Sequence, residues 1–106
     1  MRTHQQIDQI NLLLDQAIAY KLSANPALFE IVQENLVRWR RRVENGDVGS
    51  KSYLNRWEDI AAKGPVACIA MALEQSERAT AMRQTAPFAG ILTSGERMEI
   101  LRRYRR

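Results

Sequence analysis

The sequence has very little of several residue types. Cys68 is its only cysteine, so no disulfide can form within the chain. That fits a reducing, cytoplasmic setting. His4 is its only histidine, and with Cys68 it gives no metal-ligand spacing. There are five glycines and three prolines, and Val, Ile and Thr form no alternating run, which argues against a sheet. The longest apolar run, Pro65 to Leu73, is far too short to span a bilayer. The opening MRTHQQIDQ has no apolar signal region, so no membrane association is expected. There is no glycine-rich phosphate loop, nucleophile motif or cofactor signature.

What remains is a chain of 106 residues with ordinary apolar content, enough for one domain with its own core. Its pattern is helical throughout. Thr3 with Gln6 has capping-box spacing. Ile7, Ile10, Leu14, Ile18 and Leu22 follow at helical intervals, with Leu13 and Ala17 widening the stripe, so a helix is expected over roughly 4–23. Asp8 in its first turn and Lys21 in its last suit the helix dipole. Asn25-Pro26 opens a second helix with an apolar face of Leu28, Ile31, Val32, Leu36, Trp39 and Val43, and Asn45-Gly46 ends it. Ser50 or Ser52 can cap a third helix containing Tyr53, Leu54, Trp57, Ile60 and Ala61, which Gly64 stops.

Pro65 starts a fourth helix, running to Glu74, that is apolar on almost every side. Such a helix is expected to be central and buried, with its alanines allowing close approach. Ser76 can cap a fifth helix over 77–84; the alternative is one long helix across both. The elbow Pro87-Phe88-Ala89-Gly90-Ile91-Leu92 follows. Its Phe88, Ile91 and Leu92 either plug the open end of a bundle or form an exposed apolar patch, and the plug is the preferred expectation. Thr93 with Glu96 is a second capping box, opening a last helix from about Ser94 to Arg105, with Met98, Leu101 and Tyr104 along one side and Ile100 nearby. The expected fold is all-α, a compact single-domain bundle of five to six helices spanning 1–106.

The formal net charge is +4, and Arg supplies thirteen of the sixteen basic residues. The excess is uneven. Arg38, Arg40, Arg41 and Arg42 crowd one helix end without an acid, and 97–106 holds Arg97, Arg102, Arg103, Arg105 and Arg106 against Glu99 alone. Each remaining stretch, 1–37 and 43–96, is net negative. Arg grips carboxylates and phosphates in two-pronged fashion, so the clusters are candidate sites for an acidic protein partner or for phosphate backbones. The plain alternatives are dipole-favoured helix-end cations and a solubilising tail. RWRRR and RRYRR interleave Arg with an aromatic, but neither is a sequence-specific nucleic-acid motif. Trp39 and Trp57 match apolar helix positions and are expected in the core, Trp39 with the alternative of lying at the edge of a basic surface.

Catalytic candidates are weak. Glu58-Asp59, and Glu96 with Glu99, lie on helices as solvated carboxylates. Cys68 sits within VACIAMA, with no positive neighbour in sequence to lower its pKa. An enzyme is not expected.

Three segments taken together carry a resemblance: Asn25-Pro26-Ala27-Leu28 leading to Asn35-Leu36-Val37-Arg38-Trp39; Tyr53-Leu54-Asn55-Arg56-Trp57; and Pro87-Phe88-Ala89-Gly90-Ile91-Leu92-Thr93 with Glu96-Arg97. The chain resembles a group of small, poorly characterised bacterial all-helical proteins with the same helix order and a similar Pro-Phe-Ala-Gly elbow, some encoded beside toxin-like partners. The resemblance covers most of the chain. It implies a cytoplasmic helical protein and suggests an antitoxin-like role, and it carries over no functional residue.

Overall fold

A computed structural model describes residues 4–104, apart from the side chain of Tyr104. The Thr3 cap, the Tyr104 side chain, Arg105 and Arg106 lie outside that description. Six α-helices follow one another without a strand among the described residues: α1 (His4–Ala24), α2 (Phe29–Glu44), α3 (Lys51–Ala62), α4 (Pro65–Leu73), α5 (Glu77–Gln84) and α6 (Ser94–Tyr104). The all-α single-domain bundle expected from the sequence is the fold observed.

Local chemistry sets most boundaries. Ser76 accepts a hydrogen bond from the amide of Ala79, which starts α5 as its own helix. At α6 the capping box is closed in both directions: the Glu96 amide donates to Thr93 Oγ1 (3.1 Å), and the Thr93 amide donates to Glu96 Oε1 (2.8 Å). α2 ends in a Schellman arrangement, with Asp47 N bonded to Arg42 O and Gly46 N to Val43 O. Gly46 there has φ +114°, a backbone angle that side chains disfavour.

Three details differ from the sequence pattern. Pro26 opens a short 3₁₀ turn, Pro26–Leu28, before α2 begins at Phe29, because Leu28 N bonds back to Asn25 O. Asp8 falls just beyond the first described turn of α1, so the dipole accounts poorly for it. Ser50 precedes α3 but does not cap it with its side chain; its hydroxyl accepts the indole N–H of Trp39 at 2.8 Å.

The core draws on every helical stripe. Ile10, Leu14 and Ile18 of α1, Val32, Leu36, Trp39 and Val43 of α2, and Leu54 and Trp57 of α3 are buried together. Trp57 is sealed completely, and its indole N–H donates to Met82 O at 3.0 Å. Phe88, Ile91 and Leu92 are buried too, so the elbow plugs the bundle. Gly90 turns the elbow at φ +93°. Among the described side chains of α6, Met98 is exposed and only Ile100 and Leu101 are half-buried, so this part of α6 lies on the bundle more lightly than its apolar residues suggest.

α4 is the hub, packed against α1, α3 and α5. Only one side of it is covered. Cys68 and Ala72 are buried, Ile69 is half-buried, and Val66 and Leu73 are 77% and 44% exposed. The expectation of burial on all sides is corrected here. An all-apolar helix shows no polar face from which to read which side its neighbours leave open.

Candidate partner-binding surface

The α2 cluster is divided by its neighbours. Arg40 is used inside the molecule. Its Nε donates to Glu58 Oε2 at 3.2 Å, a second nitrogen reaches Glu58 Oε1, and the same nitrogen donates to Asn55 Oδ1 at 2.8 Å. This two-pronged pair staples α2 to α3 and removes Arg40 from the list of free cations. Arg38 donates to Asn35 Oδ1. Arg41 and Arg42 are exposed and have no acid partner among the described residues. Beside Arg42 a cleft of about 320 Å³ opens, lined by Trp39, Asp47, Ser50, Thr85 and Ala86. Trp39 is buried at its margin, so the core and basic-surface-edge readings of this residue describe one position.

The α6 cluster is arranged differently. Arg102 lies 3.3 Å from Glu99 and Arg103 lies 4.0 Å from the same carboxylate. One acid is thus shared between two cations, both about 70% exposed, and such surface pairs hold their partners weakly. Arg97 is exposed in the first turns of α6, without an ion pair among the described residues. Arg105 and Arg106 lie outside the described residues. α6 packs on α1 and α2 packs on α3, so the clusters are presented by different pairs of helices.

Arg97 also lines a groove of about 880 Å³ between α1 and α5, together with Asp8, Asp15, Glu77, Arg83 and Thr80. Nothing in the linear charge pattern points to its centre. Arg83 Nε meets Asp15 Oδ2 at 3.1 Å, and both side chains are largely shielded from solvent. The same guanidinium donates to the carbonyls of Met71 and Glu74. Burial pushes the Asp15 carboxyl up to about 6, against the pull of Arg83. Arg83 is thus committed to the fold.

Two more polar groups position the elbow. Asn35 donates to Pro87 O at 3.1 Å and to Ala89 O at 2.8 Å. Lys21 donates to Ile91 O at 2.7 Å and pairs with Glu96 at 2.6 Å. Sequence reasoning explained Lys21 by the helix dipole alone. An amide in the middle of α2 was the one available signal for Asn35, since Asn is a poor helix former.

Three of the four carboxylates considered for catalysis are held in other tasks, and the fourth, Asp59, is exposed. Glu58 binds Arg40, Glu99 binds Arg102, and Glu96 closes its cap. Hydrogen bonds, first from Lys21 and then from the Thr93 amide, pull the Glu96 carboxyl down to about 2. The Cys68 thiol is buried and pushed up to about 11 by desolvation, the reverse of what a nucleophile needs. Among the described residues no group of three or more His, Cys, Asp or Glu is placed to hold a metal. No described helix is long and apolar enough to cross a membrane.

Comparison of the chain with protein-family models, with curated proteins and with solved structures finds no match.

Proposed function

We propose that the protein is an interaction module that docks on another protein with an acidic surface, in the manner of an antitoxin covering a toxic enzyme. The observation that carries this reading is the pair Arg41 and Arg42. Both are exposed and free of acid partners among the described residues, on a helix end held by the Arg40–Glu58 staple and the Schellman turn. The helix end beneath them is already fixed, so binding has to order only the two side chains, and Arg contacts are typical local hot spots. The resemblance to helical proteins encoded beside toxin-like partners points the same way.

The test begins with the neighbouring gene. Its product should arrest growth when expressed alone, and this protein should relieve the arrest and co-purify with it. Arg41→Glu with Arg42→Glu should cost about 2 kcal/mol or more of that binding, with modest salt dependence. A neighbour without toxicity, or a complex indifferent to both substitutions, would overturn the reading.

A second reading is duplex nucleic-acid binding through α6. It draws on the exposure of Arg97, Arg102 and Arg103 along one short helix. Each of these arginines lost should then reduce the salt slope of duplex binding by up to about one unit, nearly independently of sequence. Tight, sequence-selective duplex binding by the protein alone would place this reading first.

A further inference from the structure

Two helix faces wall the groove between α1 and α5. Asp8, Asn11 and Asp15 stand at i, i+3 and i+7 on α1, and Glu77, Thr80 and Gln84 stand at the same spacing on α5. The centre of the groove is neutral, because Arg83 is matched there by Asp15. Its ends are not. The α1 wall runs from Asp8 to Ile18, about 15 Å of helix. Arg97 belongs to the Ile18 end. It follows Glu96, whose carboxylate holds Lys21, and Lys21 lies less than one turn beyond Ile18. Asp8 forms the opposite end. Glu77 lies on the Asp8 side. α5 meets Asp15 through Arg83 in its last turn, and from Asp15 the wall extends about two turns towards Asp8 but less than one towards Ile18.

Asp8, Glu77 and Arg97 are exposed, and none has an ion pair among the described residues. Between these ends the side-chain amides of Asn11, Gln75 and Gln84 line the groove, without a side-chain hydrogen bond among the described residues.

A short peptide with free ends answers each of these groups. Its amino end is cationic at neutral pH and matches Asp8 and Glu77. Its carboxylate matches Arg97, which can hold it through two parallel bonds. The extended backbone between them brings N–H and C=O groups that need partners, and an Asn or Gln amide both donates and accepts. A helical segment would offer few such groups, because its backbone bonds are closed within itself. An extended chain advances about 3.3–3.6 Å per residue, so about four or five residues span the groove. The volume of about 880 Å³ lies within the range of ligand-binding clefts.

From this match of end charge, length and backbone-pairing groups we infer that the groove between α1 and α5 binds a short, free-ended peptide in extended form. The amino end lies at Asp8 and Glu77, and the carboxyl end lies at Arg97. Recognition is of the ends and the backbone, not of the side-chain sequence. The site goes beyond the proposed docking on an acidic protein and uses neither Arg41 nor Arg42.

The inference is tested by NMR titration of the full chain with tetra-alanine and penta-alanine, with circular dichroism as the control for folding. Both peptides should bind at neutral pH and shift the side-chain amide signals of Asn11 and Gln84. N-acetylation or C-amidation of the peptide should each weaken binding at least about tenfold, equivalent to about 1.4 kcal/mol. Arg97→Gln should erase the difference between carboxylate and amide forms and keep that between free and acetylated ones. Asp8→Asn with Glu77→Gln should do the reverse. All three positions are exposed, so helicity should be kept. Dialanine, too short to reach both ends, should bind at least about tenfold more weakly. Absence of binding by both longer peptides overturns the inference. So does binding that blocked ends leave unchanged, or a blocking effect that persists in the variants. If a doubly blocked peptide bearing Lys and Glu binds where the free-ended peptides do not, the groove takes charged side chains of a partner segment and the inference fails.

Discussion

The ring of Phe88 meets the indole of Trp57 edge-on, with centroids 5.2 Å apart and planes at 76°. The contact joins the elbow to the largest fully buried side chain of α3. Trp57→Ala should cost about 3–5 kcal/mol in urea denaturation, as expected for a large buried aromatic. In a double-mutant cycle with Phe88→Ala, the coupling should be about 0.5–1.5 kcal/mol, the usual worth of an aromatic pair. A loss below about 1 kcal/mol for Trp57→Ala, typical of surface sites, would show that this face is not the core.

Asn35→Ala removes the donor that serves both Pro87 O and Ala89 O. The expected loss is about 1–3 kcal/mol, since the part-buried Pro87 carbonyl is left without a partner. Amide exchange should speed up through the elbow before it does so in α2. Unchanged exchange there would mean that apolar packing alone holds the elbow.

Asp15 makes stability depend on pH in an unusual direction. Its carboxyl is raised in the fold to about 6 from an ordinary 3.8, so the folded state favours the protonated form. The stabilisation is therefore complete below about pH 4 and is lost as the pH rises through 6. Measured against Asp15→Asn, the wild type should gain up to about 3 kcal/mol between pH 7 and pH 4. A difference that does not vary with pH would show that Arg83 compensates for the burial fully.

Glu96 acts in the opposite sense. Its carboxyl is held near 2, below the ordinary 4.5, by Lys21 and the Thr93 amide. Its contribution is present above about pH 4.5 and fades as the pH falls towards 2. A carbon-detected NMR titration should find this carboxyl ionised at pH 3, and Lys21→Ala should move its midpoint up. Together, Asp15 and Glu96 favour greatest stability between about pH 4 and 5.

Much of the fold is legible in the sequence because it is local. Thr93 with Glu96, Ser76 before Glu77, and Gly46 after α2 act within a few residues of themselves, and each stands where its spacing places it. The stripe Val32, Leu36, Trp39, Val43 is likewise a matter of helical periodicity. The contacts that escaped are distant ones. Arg40 looks like its neighbours Arg41 and Arg42 until α3 brings Glu58 against it. Asp15 and Arg83 each look like solvated surface charges until α1 and α5 are packed. The open face of α4 escaped for another reason, since a helix without polar residues gives periodicity nothing to measure.

The guanidinium of Arg83 occupies the carbonyls of Met71 and Glu74, which in an unbroken helix would accept the amides of Gln75 and Arg78. The corner between α4 and α5 is therefore fixed from outside the backbone ladder, by a side chain that also grips α1 through Asp15. Opening α5 locally would strip partners from both α1 and α4. α5 has only eight residues, too few to persist alone, but it shares the cooperative unit of α1 and α4.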